Sequence, residues 1–254
     1  MKDIVWALFD SGNGCYAQSA KKFNEIEIYS IGMDIENKNN HFINLNLADY
    51  SRLFGDNTLF DTLDQLPKPD LIIASPPCES WSIGSTMKDG NACWKQEKGD
   101  GLFEPQIPLS RFTLRNYSDF DNVQFVPDKS LVKRINGELC AFNTVEIIKK
   151  YNPKLYVVEN PMTSRIWDYI DTILGFKIPF ENKTYYMNYD YPIAKPTKFK
   201  SNINLDLNSN LPPKAEKDFR FMNWSYNERS NIPSKLVDSI FETVIRKLKE
   251  EPNE

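Results

Sequence analysis

Four apolar runs in this chain each stop at residues able to do chemistry, and that pattern restricts the fold more than any other feature. Ile4 to Phe9 ends in Asp10-Ser11-Gly12-Asn13-Gly14, and Ile26 to Met33 ends at Asp34. Leu71-Ile72-Ile73-Ala74 ends in Ser75-Pro76-Pro77-Cys78, and Leu155-Tyr156-Val157-Val158 leads into Glu159-Asn160-Pro161. Short, continuous apolar runs are the pattern of strands buried on both faces. Helical segments, one through about Phe23 and one over Asn143 to Lys150, lie between them. The order predicts an α/β, doubly wound, Rossmann-like sheet. Ligands bind such sheets outside the carboxyl ends of the strands, where these polar residues fall.

Two stretches interrupt the alternation. Residues 84 to about 138 are aromatic, glycine-rich and charged without a sustained period, and are expected to form an inserted loop or lobe. Lys200 to Arg229 also lacks strong periodicity, with a turn at Leu211-Pro212-Pro213. Ser234 to Leu248 returns to a helical pattern, with Leu236, Ile240, Val244 and Leu248 on one face. A length of 254 residues suits a single domain over 1–254.

Composition excludes several classes of protein. No run of about twenty apolar residues is present to span a membrane, and Met1-Lys2-Asp3 enters the first strand without a secretory leader pattern. A cytoplasmic protein is expected. Cys15, Cys78, Cys93 and Cys140 form no Cys-x-x-Cys pair, and His41 is the one histidine, so a Cys/His zinc site has little to be built from. Reduced thiols are expected. A formal charge of -4 argues against coating nucleic acid by bulk electrostatics but leaves room for an enzyme with a local basic face.

The strand ends suggest specific roles. Gly12-Asn13-Gly14 lets a nucleotide-like ligand approach the backbone, or is an ordinary tight turn. Asp34 is placed to accept from ribose hydroxyls, or is a solvated carboxylate. Two prolines stiffen the chain before Cys78 and hold its thiol at the sheet's carboxyl edge, where a thiolate can attack a substrate; the alternative is a small buried apolar residue. A buried Glu159 can keep a proton and act as an acid, whereas Glu159-Asn160 alone would read as a capping cluster.

Taken together, Pro77-Cys78 and Glu159-Asn160 resemble the Pro-Cys and Glu-Asn motifs of the cytosine-C5 DNA methyltransferases, in that order at successive strand ends. The resemblance is to small bacterial or phage types. It covers nearly the whole chain: the glycine turn, Asp34, the two motifs, Tyr189 to Phe199, and Arg229-Ser230-Asn231-Ile232-Pro233. It implies a Rossmann-like, S-adenosylmethionine-dependent fold, no metal, and double-stranded DNA with a flipped cytosine as partner. Cys78 would add to cytosine C6 while Glu159 contacts N3 and the exocyclic amine, with Asn160 and Lys195 completing the catalytic set. Phe9, Gly12, Gly14, Asp34, Ile35, Asn46, Pro76, Ser230 and Asn231 would contact the methyl donor. A role in DNA methylation and restriction-modification follows from the same resemblance.

The chain departs from that family at several points. Asp10 stands where an aromatic residue is usual, and Glu79 where glutamine is usual. Ile193-Ala194-Lys195-Pro196-Thr197 stands for a Gln-x-Arg-x-Arg segment; Lys195 can supply one basic contact, but Thr197 cannot replace a guanidinium fork. Lys195, Lys198 and Lys200 either meet phosphate or form a solvated basic stretch. Only Ser201 to Arg229 is available for target recognition, so the insert with Trp94, Arg111, Arg115, Lys129, Lys133 and Arg134 is expected either to help bind DNA or to be a plain structural lobe. The alternatives are an RNA or nucleotide cytosine methyltransferase and a catalytically inactive DNA-binding or regulatory relative. An amino-methyltransferase is disfavoured, because its Pro-Pro turn needs an aromatic residue where this chain has Cys78.

Overall fold

The computed structural model describes residues 2–11, 14–33, 41–82, 94–95, 113–114, 132–213 and 231–250. Its centre is a seven-stranded sheet in the order β3-β2-β1-β4-β7-β9-β8. The strands are β1 (Asp3–Leu8), β2 (Ile26–Gly32), β3 (Phe42–Asn44), β4 (Leu71–Ala74), β7 (Leu155–Pro161), β8 (Phe180–Tyr185) and β9 (Pro196–Ser201). From β3 to β7 every pairing is parallel, while β9 runs antiparallel between β7 and β8. β5 (Trp94–Lys95) and β6 (Thr113–Leu114) form a separate antiparallel pair.

Both faces of the sheet are covered, as a parallel sheet requires. On one face Trp6, Leu8, Ile72, Ala74 and Val158 join a core with residues of α2 (Thr58–Leu63), α3 (Lys133–Tyr151) and the short α4 (Ile166–Asp168). On the other, Val5, Ala7, Leu71, Ile73, Val157 and Phe199 pack with α1 (Cys15–Ala20) and α5 (Ser234–Glu250). Alternate residues of one strand thus feed opposite cores. In α5, Leu236, Ile240, Val244 and Leu248 are all buried, as their spacing predicts. Among the described residues no helix is long and apolar enough to cross a membrane.

The observed architecture is the doubly wound, Rossmann-like α/β fold expected from the strand ends. The chain winds from β1 through β2 to β3 in one direction and from β4 to β7 in the other, so the order reverses between β1 and β4. A crevice at that reversal is where such sheets hold ligands.

Two boundaries differ from the sequence reading. α3 begins at Lys133, ten residues before Asn143, because its buried face includes Gly137, Asn143 and Thr144 and carries no clean apolar period. Asn143 Nδ2 donates to the carbonyls of Leu47 and Asp49, both at 2.8 Å. β7 continues through Glu159, Asn160 and Pro161, which therefore lie within the strand rather than beyond it. Antiparallel pairing with β9 extends β7 past the end of its parallel partner β4.

Candidate active site

Cys78 sits in a turn directly after β4. Its carbonyl accepts from the amides of Trp81 (3.0 Å) and Ser82 (2.9 Å), which wraps the chain around it. Trp81 is fully buried and anchors the turn in the core. Helix α3 backs it at Gly137, where an added Cβ would lie 2.1 Å from Ser80 Oγ. Glu79 is joined to Lys133 of α3 by a 2.5 Å ion pair. On the strand side, Asn160 Nδ2 donates to the carbonyl of Pro76 at 2.8 Å.

Glu159 lies on the opposite sheet face from Asn160, with the α1 and α5 core. The β7–β9 register pairs Glu159 with Phe199 and Pro161 with Thr197, so Thr197 is the diagonal same-face neighbour of Glu159. Thr197 Oγ1 donates to Glu159 Oε1 at 2.7 Å. Ser75 and Tyr186 also favour the ionised carboxylate. Burial nevertheless raises the Glu159 pKa from its ordinary value; the hydroxyls and Lys195 oppose the rise.

The Cys78 thiol is pushed up to about 11, first by burial and then by the negative charge of Glu159, against the pull of Lys195. Lys195 is lowered by its own burial, while Glu159 and Cys78 raise it. Its ammonium lies 4.5 Å from the Tyr186 ring centroid, and its backbone is left-handed at φ 31°. The structure therefore brings Cys78, Glu159 and Lys195 into one electrostatically coupled group, with Asn160 holding the cysteine loop from the other face of the same strand.

At the end of β1 the chain turns sharply. Phe9 has φ 64°, and the amide of Gly14 donates to the Ser11 carbonyl at 2.8 Å. Asp10 is buried and accepts from Ser30 Oγ at 2.7 Å. A Cβ on Gly14 would fall 1.9 Å from Asp10 Oδ1, so this glycine is required by the neighbouring carboxylate.

The remaining expected residues are dispersed. The Asn46 side chain accepts from the Ala48 amide at 3.0 Å in a local turn. Pro76 is buried and its carbonyl is taken by Asn160. Asn231 is exposed, next to the buried Ile232. Gly12, Asp34, Ile35, Ser230, Arg111, Arg115 and Lys129 lie outside the described residues, as does the Trp94 side chain. Lys133 is committed to Glu79, and Arg134 to Glu138. Lys198 and Lys200 both pair with Glu181, at 3.1 and 3.2 Å, and lie over Trp167 on the sheet face away from Glu159. Cys15, Cys78 and Cys140 are free thiols; Cys93 lies outside the described residues.

Ser75, Thr197, Tyr186 and Tyr16 are absent from the sequence-based site. Thr197 enters the sequence reading only as a residue that cannot replace arginine, and its partnership with Glu159 depends on a strand register that the sequence does not display.

No protein-family model matches the chain, and no curated protein does so. Among solved structures it is similar to a protein described as a DNA modification methyltransferase encoded within a prophage, from E. coli. The identity is 12% and the TM-score 0.43, over 79% of this chain and 46% of that one. It is also similar to a methyltransferase of Entamoeba histolytica, at 15% identity and a TM-score of 0.40, over 93% of this chain and 64% of that one. The chain thus spans less than two thirds of the length of either protein.

Proposed function

We propose that the chain is an S-adenosylmethionine-dependent DNA methyltransferase that acts at cytosine C5 through a covalent adduct to Cys78. The observation that carries this reading is the coupling of a loop-mounted thiol to a buried carboxyl and a cation, Cys78 with Glu159 and Lys195, beside the β1–β4 reversal. Each group has a task in that chemistry.

The Cys78 thiol gives its proton to solvent, and the resulting thiolate bonds to C6 of a cytosine swung out of the duplex. The electron pair displaced from the C5–C6 bond makes C5 nucleophilic, while a protonated Glu159 holds N3 and spreads the charge that develops on the ring. With Glu159 protonated, its charge no longer opposes the thiolate, and the pull of Lys195 works against burial and Glu79 alone. S-adenosylmethionine, when bound, supplies an electrophilic methyl group. Loss of the C5 proton to solvent and expulsion of the thiolate regenerate Cys78.

The residues at the end of β1 fit such a donor. Gly14 keeps the turn bare where a side chain would strike Asp10, and Asp10 offers a buried carboxylate beside it. Phe9, Gly14 and Asp10 are the described residues that would hold the donor, with Gly12, Asp34 and Ile35 continuing the same edge in sequence. The insert and residues 201–229 would supply contacts to DNA, in a protein that acts in the cytoplasm.

The test is transfer of labelled methyl groups to mixed-sequence DNA, with the product base identified by mass spectrometry. Formation of 5-methylcytosine, lost in Cys78→Ser, supports the proposal. A folded protein that binds DNA but modifies no base overturns it in favour of a binding role, and label appearing only in RNA or free nucleotides moves the substrate class.

A further inference from the structure

We propose that Tyr186 is a positioning residue for Lys195: the face of its ring holds the lysine ammonium beside the end of β7 that carries Glu159. The inference rests on the reading of Lys195 as the cation that favours the Cys78 thiolate, and it adds a residue that no motif contains. Tyr186 opens a short 3-10 helix, Tyr186–Tyr189, between β8 and β9. Lys195 immediately precedes β9, and its ammonium lies over the Tyr186 ring, 4.5 Å from the centroid.

The backbone brings the two residues together. The Tyr186 amide donates to the Lys195 carbonyl at 3.4 Å, and Tyr185 pairs with Pro196 in the β8–β9 register. The same corner is tied to β7, because the Met162 amide donates to the Pro196 carbonyl at 3.2 Å and Thr197 Oγ1 donates to Glu159 Oε1 at 2.7 Å. Lys195 itself has φ 31°, a conformation that glycine adopts without steric cost and that other residues keep only where their surroundings hold it. The ring is fixed as well. Tyr186 is 1% exposed, and the Tyr191 ring meets it nearly perpendicular, at 5.4 Å and 87°. Asn188 fastens the helix that carries Tyr186 by donating to the carbonyls of Asn208 and Asn210, at 3.0 and 2.9 Å.

A ring suits this task better than a second carboxylate. Lys195 is half-buried and has lost part of its hydration; the negative face of the ring returns some of that attraction without setting another full negative charge beside the thiol. A further carboxylate would cancel the positive charge that a thiolate needs. Glu159 attracts Lys195 while it is ionised, but that attraction goes once Glu159 takes up the proton with which it holds the base. The ring is a partner in both states. The titratable groups acting on Lys195 are Glu159 on β7, Cys78 after β4 and Cys15 on α1.

The experiment joins two readouts on the full chain: the lysine side-chain 1H–13C spectrum, with Lys195 assigned by its loss in Lys195→Met, and the alkylation rate at the Cys78 peptide at pH 8. Over a ring face the Lys195 Hε resonances should lie upfield of a solvated lysine, stay there in Tyr186→Phe, and return to the solvated position in Tyr186→Leu. Tyr186→Leu should slow alkylation by about three- to tenfold, the effect of a thiol midpoint raised by roughly half a unit to one unit. Tyr186→Phe should keep the native rate, and Tyr186→Leu should add nothing in a Lys195→Met background. A folded Tyr186→Leu protein with a native rate or unmoved Hε resonances overturns the proposal. So does a Tyr186→Phe rate as slow as that of Tyr186→Leu, which would give the effect to the hydroxyl, or a Tyr186→Leu effect that persists in full without the lysine. If Tyr186→Leu does not fold, a phenylalanine with three ring fluorines in place of Tyr186 decides: it keeps the shape and drains the ring face of negative charge, so alkylation should slow, and a native rate overturns the proposal. Neither readout involves DNA or a methyl donor, so a chain that methylates nothing leaves both readable, and a methylating enzyme with unmoved rates loses only the role of Tyr186.

Discussion

The side-chain amide of Asn160 donates a 2.8 Å hydrogen bond to the carbonyl of Pro76, joining β7 to the loop that carries Cys78. Asn160 is fully buried, and its Oδ1 has no hydrogen-bond partner among the described residues. The bond sets where the Pro76-Pro77-Cys78 turn leaves the sheet. Replacing Asn160 with leucine strands the buried Pro76 carbonyl, at a cost of about 1–3 kcal/mol. Denaturant titration should show that loss. Because a displacement of about 1 Å can cost roughly a hundredfold in rate, single-turnover methyl transfer should fall by about that factor while DNA binding is retained.

Cys78 is a thiol at neutral pH, with its midpoint at about 11. Alkylation measured at the Cys78 peptide should therefore keep rising with pH above the range in which a free thiol has levelled off. Glu159 raises that midpoint and Lys195 lowers it. Glu159→Gln should bring the alkylation midpoint down, and Lys195→Met should take it up. Equal midpoints in the two variants would separate the thiol from both charges.

The raised Glu159 pKa also makes the site a source of instability. Its folded-state pKa lies above the unfolded value of about 4.5, so the native state binds more protons in between, and stability is lost as pH rises through that window. Above it the penalty is fully expressed. Glu159→Gln should raise the melting temperature relative to the native protein at pH 7 and lose that advantage at pH 4. Thermal scans at both values decide this.

Gly14 is constrained by Asp10 rather than by its own backbone angles. Gly14→Ala places a methyl group 1.9 Å from Asp10 Oδ1 and should destabilise the fold by about 1–3 kcal/mol, as overpacking does. Asp10→Ala removes the obstacle but leaves the Ser30 hydroxyl without its 2.7 Å acceptor. The double variant should therefore be more stable than the sum of the single losses predicts, and a cycle of four melting curves reads the difference.

The sequence displays β1, β2, β4, β7 and α5 because their burial follows from local apolar patterns, such as the fully buried Leu71–Ala74. It displays Cys78 and Glu159 because both stand where such runs end. The first half of α3 is hidden, since its buried positions include Gly137 and Asn143. β8 and β9 are hidden as well: Phe180–Tyr185 and Pro196–Ser201 are polar strands, held partly by Asn182, whose side chain donates to the Phe199 carbonyl and the Ser201 hydroxyl. Without that pairing nothing marks Thr197 as a partner of Glu159, or places Lys198 and Lys200 against Glu181 on the other face. Residues that recognise each other across a register are invisible until the register is known.

The central claim is that Cys78 forms a bond to the target base, and trapping that bond tests it most directly. DNA containing 5-fluorocytosine in place of cytosine blocks the last step, because fluorine cannot leave as the C5 proton does. Incubated with the protein and S-adenosylmethionine, it should yield a denaturation-resistant complex whose peptide map places the nucleotide on Cys78, absent in Cys78→Ser. Methylation of ordinary DNA with no such complex, or by Cys78→Ser at the native rate, would contradict the account.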